Sequence, residues 1–225
     1  MVANWNRACR ESRGEFVKLL FHDDLIAPDS VENLVPLMDD PEVVYAYSPR
    51  RVFHTEPQLD ASGEDTYRAV HQSIQDAWQP PSEIWSGRLL LGWSKLLTGA
   101  LNKIGEPTVA LYRKSCFQTL GAFDPSMGQF ADVELFYRWA CYGKLGYYPR
   151  PLARFRVHSK QMTSQLKSHG NLYLDRFYRR LSGFPIAHST RIRLQSRFMV
   201  QALGRKYPRA RALKRRLSRR PYLPR

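Results

Sequence analysis

Apolar and polar residues occur along the chain in short blocks that predict strands and helices in turn. The apolar run Phe16–Phe21 is typical of a buried parallel strand, and Val43–Phe53 alternates as a second strand does. Residues 4–12 and 30–38 show the periodicity of helices, and Pro36 predicts a break in the second helix. The pattern favours an α/β fold with a mostly parallel sheet, in which ligands bind at the carboxyl ends of the strands.

The rest of the chain continues this alternation. Segment 89–105 is apolar and dotted with glycine, and it fits neither template well. We expect one domain over residues 1–165 and a basic helical extension over residues 166–225. Further strands are predicted at 108–112, 145–148 and 152–157, and further helices at 67–78, 114–120, 133–142, 171–182 and 189–204.

The composition is that of a globular protein. Of the 225 residues, 43% are hydrophobic and 12% aromatic, so the chain can bury a core. No stretch reaches the roughly 18 consecutive apolar residues that span a bilayer. The first residues lack the apolar run of a secretory signal. The three cysteines are far apart, which indicates neither a disulfide framework nor a metal-ligand pair and suits a cytoplasmic protein.

Positive charge is concentrated in the last third of the chain. The net charge is +15, yet residues 151–225 contain 20 Lys and Arg residues and one acidic residue, Asp175. The first 150 residues are therefore slightly acidic. The basic end should bind polyanions, and its charge alone does not distinguish anionic lipid from nucleic acid.

Three polar positions follow or precede predicted elements where a ligand would bind. Asp23 and Asp24 come after the first strand, where adjacent carboxylates can bind Mg²⁺ or Mn²⁺, although such a pair can also open a turn. Asp132 precedes a helix and could act as a general base or as an N-cap. His158 follows the last strand and could contact a metal or a phosphate, or be structural.

Read in order, four segments resemble family 2 glycosyltransferases of the GT-A fold. The first segment combines a helix that starts near an Asn, a buried strand and an Asp-rich metal motif. The second resembles the family's acceptor-side segment, the third the helix that carries the base, and the fourth the last strand with its histidine. The four segments are NWNRA with SRGEFVKLLFHDDLIAPDSVE, then EPTVALYRKSCFQTLGAFD, then ADVELFYRWA, and finally PLARFRVHSKQMT.

The resemblance implies a role for each candidate residue. Asp24 and Asp23 would bind the metal that bridges the donor diphosphate, and His158 would contact that metal or the diphosphate. Asn6 would lie near the nucleotide. Asp132 would be the catalytic base of an inverting transfer, in which no sugar–enzyme bond forms.

Two departures from the family pattern accompany the resemblance. The family's opening segment, with its first nucleotide-binding strands, is not present, so we expect a sheet whose first strand is Phe16–Phe21 and whose edge there is uncovered. Ala131 stands where the family has a Glu beside the base.

The resulting hypothesis is an enzyme that transfers a sugar from a nucleotide-sugar donor to a saccharide or lipid-linked acceptor in cell-envelope polysaccharide or glycolipid synthesis. We expect it in the cytoplasm, with the basic end against the inner face of the plasma membrane. One alternative is a non-catalytic remnant of such an enzyme. Another is a nucleic-acid-binding protein, for which the sequence offers no base-reading or stacking module.

Overall fold

The computed structural model describes residues 1–54, 80–92, 101–157 and 170–184. Within these ranges strands and helices alternate, which confirms the mixed α/β class, and short 3₁₀ helices occur at Pro36–Met38, Pro107–Val109 and Pro125–Phe130. The helices are α1 (Val2–Glu11), α2 (Ser30–Leu34), α3 (Gly87–Gly92), α4 (Lys114–Thr119), α5 (Ala131–Ala140) and α6 (Gly170–Ser182). The strands are β1 (Phe16–Lys18), β2 (Leu25–Ile26), β3 (Val43–Tyr47), β4 (Arg50–His54), β5 (Ile84–Ser86), β6 (Ala110–Arg113), β7 (Lys144–Tyr147) and β8 (Ala153–Val157).

The central sheet is mixed in direction. Its described strands follow the order β1-β6-β3-β7-β5, and only β3 and β7 pair in parallel. The expectation of a mostly parallel sheet was therefore wrong for this part of the chain. Apolar runs show that a strand is buried, but they carry no information about its direction.

The first strand is shorter than expected and lies at the sheet edge. β1 ends at Lys18 rather than Phe21, and it pairs antiparallel with β6, with Phe16 opposite Arg113. It is not the parallel strand that the apolar run predicted, and Leu20, which is 53% exposed, lies beyond its end. No other described strand pairs with the outer edge of β1, as expected.

The predicted strand over residues 43–53 is two strands in different sheets. Ser48 and Pro49 separate β3 from β4, and Pro49 has no N–H with which to continue a ladder. β4 joins a three-stranded sheet of order β2-β8-β4, where it runs parallel to β8. This turn places a small second sheet beside the end of the large one.

Helices cover both faces of the large sheet. On one face Tyr45, Tyr47 and Tyr112 pack under α5, and the Tyr45 hydroxyl donates to the carbonyl of Phe136 at 3.1 Å. On the other face Ala46 belongs to a separate apolar cluster with residues of α2 and the 3₁₀ helix after it. Pro36 does divide these two helical segments, as predicted.

The predicted helix at 171–182 is confirmed as α6. Phe177 is fully buried and stacks on Phe130 with ring centroids 5.3 Å apart, so α6 packs against the segment before α5. In the described part of the chain no helix is long and apolar enough to cross a membrane. The predicted helices at 67–78 and 189–204, His158 and the basic end lie outside the described residues.

Candidate active site

Asp24 lies in the segment between β1 and β2, and its side chain is only 5% exposed. Both carboxylate oxygens accept hydrogen bonds: Oδ2 from the Thr108 hydroxyl at 2.8 Å, and Oδ1 from the backbone N–H of Arg156 at 3.3 Å. Thr108 precedes β6 and Arg156 belongs to β8. Asp24 therefore lies at the junction of the two sheets, held from both sides.

Burial dominates the electrostatics of Asp24. Desolvation raises its pKa from 3.8 to about 6, although the hydrogen bonds from Thr108 and Arg156 oppose this rise. The negative charges of Glu106 and Asp23 raise the pKa further. A cation at this position would relieve the same repulsion, because it would favour the ionised carboxylate.

Asp23 is the more accessible of the two carboxylates. Its side chain is 26% exposed, and its Oδ1 lies 4.0 Å from Nδ1 of His22, whose imidazole is 93% exposed. The backbone carbonyl of Asp23 accepts a hydrogen bond from Nε of Arg156 at 2.8 Å. The segment is thus fastened through its backbone and through Asp24, and the Asp23 carboxylate can reach a ligand.

The pair fits a hard divalent cation through its chemistry. Mg²⁺ and Mn²⁺ prefer oxygen ligands, and Mg²⁺ in particular is commonly held by one or two carboxylates together with phosphate oxygens and water. Among the described residues no three His, Cys, Asp or Glu side chains are grouped closely enough to bind a metal by themselves. Two carboxylates suit an ion that takes its remaining ligands from a bound diphosphate.

Asp132 lies in the first turn of α5, which begins at Ala131, so it is not the N-cap that the alternative interpretation allowed. Its side chain is half-buried, and its Oδ1 accepts a hydrogen bond from the Val133 N–H at 2.8 Å. Burial raises its pKa from 3.8 to about 7, and the charge of Glu106 adds to that rise. A carboxylate with a pKa near neutrality is suited to accept a proton.

Glu106 influences both candidate carboxylates, although the sequence motifs did not identify it. It precedes the 3₁₀ helix before β6. Its Oε1 accepts a hydrogen bond from Nη2 of Arg50 at 2.9 Å, and the Arg50 side chain is only 1% exposed. Its charge raises the pKa of both Asp24 and Asp132. Both carboxylates therefore lie within electrostatic range of Glu106. Its position directly before Pro107, at the start of a buried strand, was the available signal.

Lys18 approaches the same junction from β1. Its Nζ donates to the backbone carbonyl of Thr108 at 2.6 Å, and burial lowers its pKa from 10.5 to about 7. The carbonyl of Thr108 therefore accepts a hydrogen bond from Lys18, and its hydroxyl donates one to Asp24. This arrangement ties the start of β6 to the edge strand.

Glu134 and Asn6 each form hydrogen bonds with other parts of the protein. Glu134 is fully buried and accepts from Arg138 and Arg180, so it does not share the position of Asp132. The Asn6 amide donates to the carbonyl of Phe123 at 2.8 Å and accepts from its N–H at 3.0 Å. These bonds fasten α1 to the segment before α5. A contact between Asn6 and a nucleotide stays a prediction.

Comparisons with known proteins support the fold. No protein-family model matches the sequence. An uncharacterized protein of Mycobacterium tuberculosis, MT1568, is 27% identical over 177 residues, which cover 77% of this chain and 52% of that protein. The chain thus spans about half the length of this relative.

Solved structures of Staphylococcus aureus TarS, residues 1–349, are similar to this chain. One has a TM-score of 0.54 at 10% identity, and the match covers 88% of this chain and 50% of that chain. The complex with UDP has a TM-score of 0.52 at 11% identity over 87% of this chain and 49% of that one, and the complex with UDP-GlcNAc has 0.54 at 11% over 86% and 50%. At this identity the likeness shows the fold, which is the GT-A-like architecture that the sequence motifs indicated.

Proposed function

We propose that the chain is the catalytic region of an inverting glycosyltransferase that uses a nucleotide sugar and Mg²⁺ or Mn²⁺. The observation that supports the proposal is that Asp24 is held at the junction of the two sheets by Thr108 and Arg156, beside the exposed segment of His22 and Asp23, in a chain with a GT-A-like fold. TarS has a similar fold and binds UDP and UDP-GlcNAc. The four ordered sequence motifs support the same function.

The donor side of the proposed site is the segment that contains Asp23 and Asp24. Asp24 is held by Thr108 and Arg156, so it presents its carboxylate in one orientation. Asp23 supplies a second carboxylate, which is more accessible than that of Asp24, and His158 is proposed to complete this side. A divalent cation bound here would offset the negative charge that develops on the departing nucleoside diphosphate.

The acceptor side of the proposed site is Asp132. Its bond from the Val133 N–H fixes the carboxylate at the start of α5, and its pKa of about 7 leaves it able to take up a proton near neutral pH. In the proposed reaction the acceptor oxygen bonds to the anomeric carbon as the bond to the diphosphate oxygen breaks. The hydroxyl proton passes to Asp132, and the configuration at the anomeric carbon is inverted.

We further propose a saccharide or lipid-linked acceptor and a role in the cell envelope, with the chain at the inner face of the plasma membrane. The exposed side of α6 carries Arg176 and Arg179 beside Leu172, which is 50% exposed. Such a surface suits an anionic membrane, and the basic residues that follow would strengthen its attachment.

Donor binding with and without metal tests the proposal. The purified chain is titrated with UDP-, GDP- and dTDP-sugars in the presence of Mn²⁺ or EDTA. Asp24→Ala should weaken binding of the preferred donor and of Mn²⁺ together, because it removes an oxygen ligand. The exposed Asp29→Ala is the matched control and should bind as the wild type does. Donor binding that is unchanged in EDTA and in Asp24→Ala would refute the metal role.

A further inference from the structure

The outer face of the three-stranded sheet carries a cluster of arginines around one aromatic ring. Residues of one face alternate along β4 and β8, and Arg51, Phe53, Arg154 and Arg156 share the face that points away from Arg50 and Ala153. We call these four residues the basic face. On the opposite side of the same sheet Arg50 and Ala153 are buried, and there Arg50 is neutralised by Glu106.

Phe53 holds two of the arginines in place. The guanidinium carbons of Arg154 and Arg156 lie 4.7 and 4.6 Å from the centre of its ring, which are cation–π distances. A guanidinium that rests on an aromatic ring has lost part of its freedom before any ligand binds. The face is thus organised for recognition, because less side-chain entropy remains to be lost.

The positive charges of Arg51 and Arg154 are not balanced within the described chain. Arg51 and Arg154 are exposed, they are cross-strand neighbours in register, and neither forms an ion pair with a described carboxylate. Neighbouring strands are about 4.8 Å apart, and same-face residues on one strand are about 6.7 Å apart. Cations at this spacing repel one another, and a ligand of high negative charge density would relieve the repulsion.

The basic face begins at the proposed donor site. Arg156 donates through Nε to the carbonyl of Asp23 and through its backbone N–H to Asp24. Arg154 and Arg51 continue outward from that point along β8 and across to β4. A ligand on this face would extend away from the residues assigned to the donor diphosphate.

We propose that the basic face binds the phosphate groups of a phosphorylated glycan acceptor. That the ligand is an acceptor rests on the proposed function. The anion site itself is inferred only from the arginines and Phe53. Guanidinium groups match phosphate oxygens through paired hydrogen bonds, and a phosphate carries up to two charges on a small volume. Phe53 is half-buried and adds an apolar surface beside these charges.

The test measures phosphate binding by the full chain in EDTA and without any nucleotide sugar. Calorimetry measures the affinity for inorganic tripolyphosphate, for mannopentaose phosphate and for unphosphorylated mannopentaose. Arg51→Gln/Arg154→Gln should weaken both phosphorylated ligands by about tenfold or more, as expected for lost charged hydrogen bonds. Arg51→Gln alone should weaken them less, and it leaves both ring contacts of Phe53 intact.

The matched control is Arg209→Gln/Arg211→Gln, which removes the same charge from the basic end. Equal weakening by the control and the face variant, or none by the face variant, would overturn the inference. A face variant that loses only binding to phosphatidylglycerol vesicles would also overturn it, because the face would then serve lipid. If the wild type bound no nucleotide sugar, the proposed function would be contradicted, but the inferred phosphate site would be unaffected.

Discussion

The hydroxyl of Thr108 donates to Oδ2 of Asp24 at 2.8 Å, across 84 positions of sequence. This bond joins the start of β6 to the segment after β1, and it lies in a place where Asp24 is only 5% exposed. A buried carboxylate held in this way has one preferred orientation. The orientation matters for function if Asp24 binds a metal, because metal ligands depend on the groups that position them.

Thr108→Val should disturb the candidate site with little change in shape. We expect a loss of about 1–3 kcal/mol in the free energy of unfolding, because one buried oxygen of Asp24 loses its donor. Mn²⁺-dependent donor binding should weaken as well. Urea unfolding and calorimetry check both effects. Thr119→Val is the control, since Thr119 is exposed on α4 and should change neither. Unaltered donor binding in Thr108→Val would show that Thr108 does not position Asp24.

Asp132→Asn should stabilise the protein more at pH 8 than at pH 5. The folded-state pKa of Asp132 is about 7 against an ordinary 3.8, so the native state holds the proton more tightly and its stability falls as pH rises between these values. The uncharged amide removes that penalty, by on the order of 1 kcal/mol. Unfolding curves at the two pH values measure the difference. The exposed Asp29→Asn should show no such gain, and an equal gain at pH 5 would contradict the assigned pKa.

The pair of Arg50 and Glu106 should show strong coupling. Arg50→Met should cost up to about 3–5 kcal/mol, because Glu106, whose side chain is only 15% exposed, is left as a largely buried, uncompensated charge. Arg50→Met/Glu106→Gln should cost less than Arg50→Met alone. A double-mutant cycle in urea measures the coupling, and the exposed pair Arg7 and Glu11 is the comparison, worth about 0.3–0.5 kcal/mol. Additive losses at Arg50 and Glu106 would show that the pair is not coupled.

Gly128→Ala should loosen the contact between α6 and the segment before α5. Gly128 has φ +53°, and an added Cβ would lie 2.5 Å from the ring of Tyr173. We expect a loss of about 1–3 kcal/mol from backbone strain and the displaced ring. Urea unfolding measures it against Gly92→Ala, where a Cβ would meet nothing within 4 Å. Equal stability of the two variants would show that Tyr173 moves aside freely.

The sequence predicted local structure well where residues close together in the chain determine it. Pro36 divides two helical segments as expected, and the apolar spacing of residues 171–182 predicted α6. The pattern over residues 43–53 did not show that β3 and β4 belong to different sheets, although Pro49 was visible. Strand direction depends on partners far along the chain, which is why β1 was wrongly expected to pair in parallel.

The candidate site was predicted in part. The sequence motifs named Asp23, Asp24 and Asp132, and their assigned roles stay predictions. Glu106 and Thr108 were not identified, because their significance comes from contacts with Arg50 and Asp24 that no local pattern encodes. Residues that are distant in sequence become neighbours only when both sheets have formed.

Nucleoside diphosphate release by Asp132→Asn tests the central claim most directly. The wild-type chain and the variant are each incubated with Mn²⁺, the nucleotide sugar that binds best and a saccharide acceptor that supports release by the wild type, and donor affinity is measured in parallel. The account predicts equal donor affinity and a release rate lowered by about 10²–10⁴ in the variant, because the amide cannot accept the proton. Release at the wild-type rate from Asp132→Asn would contradict the account.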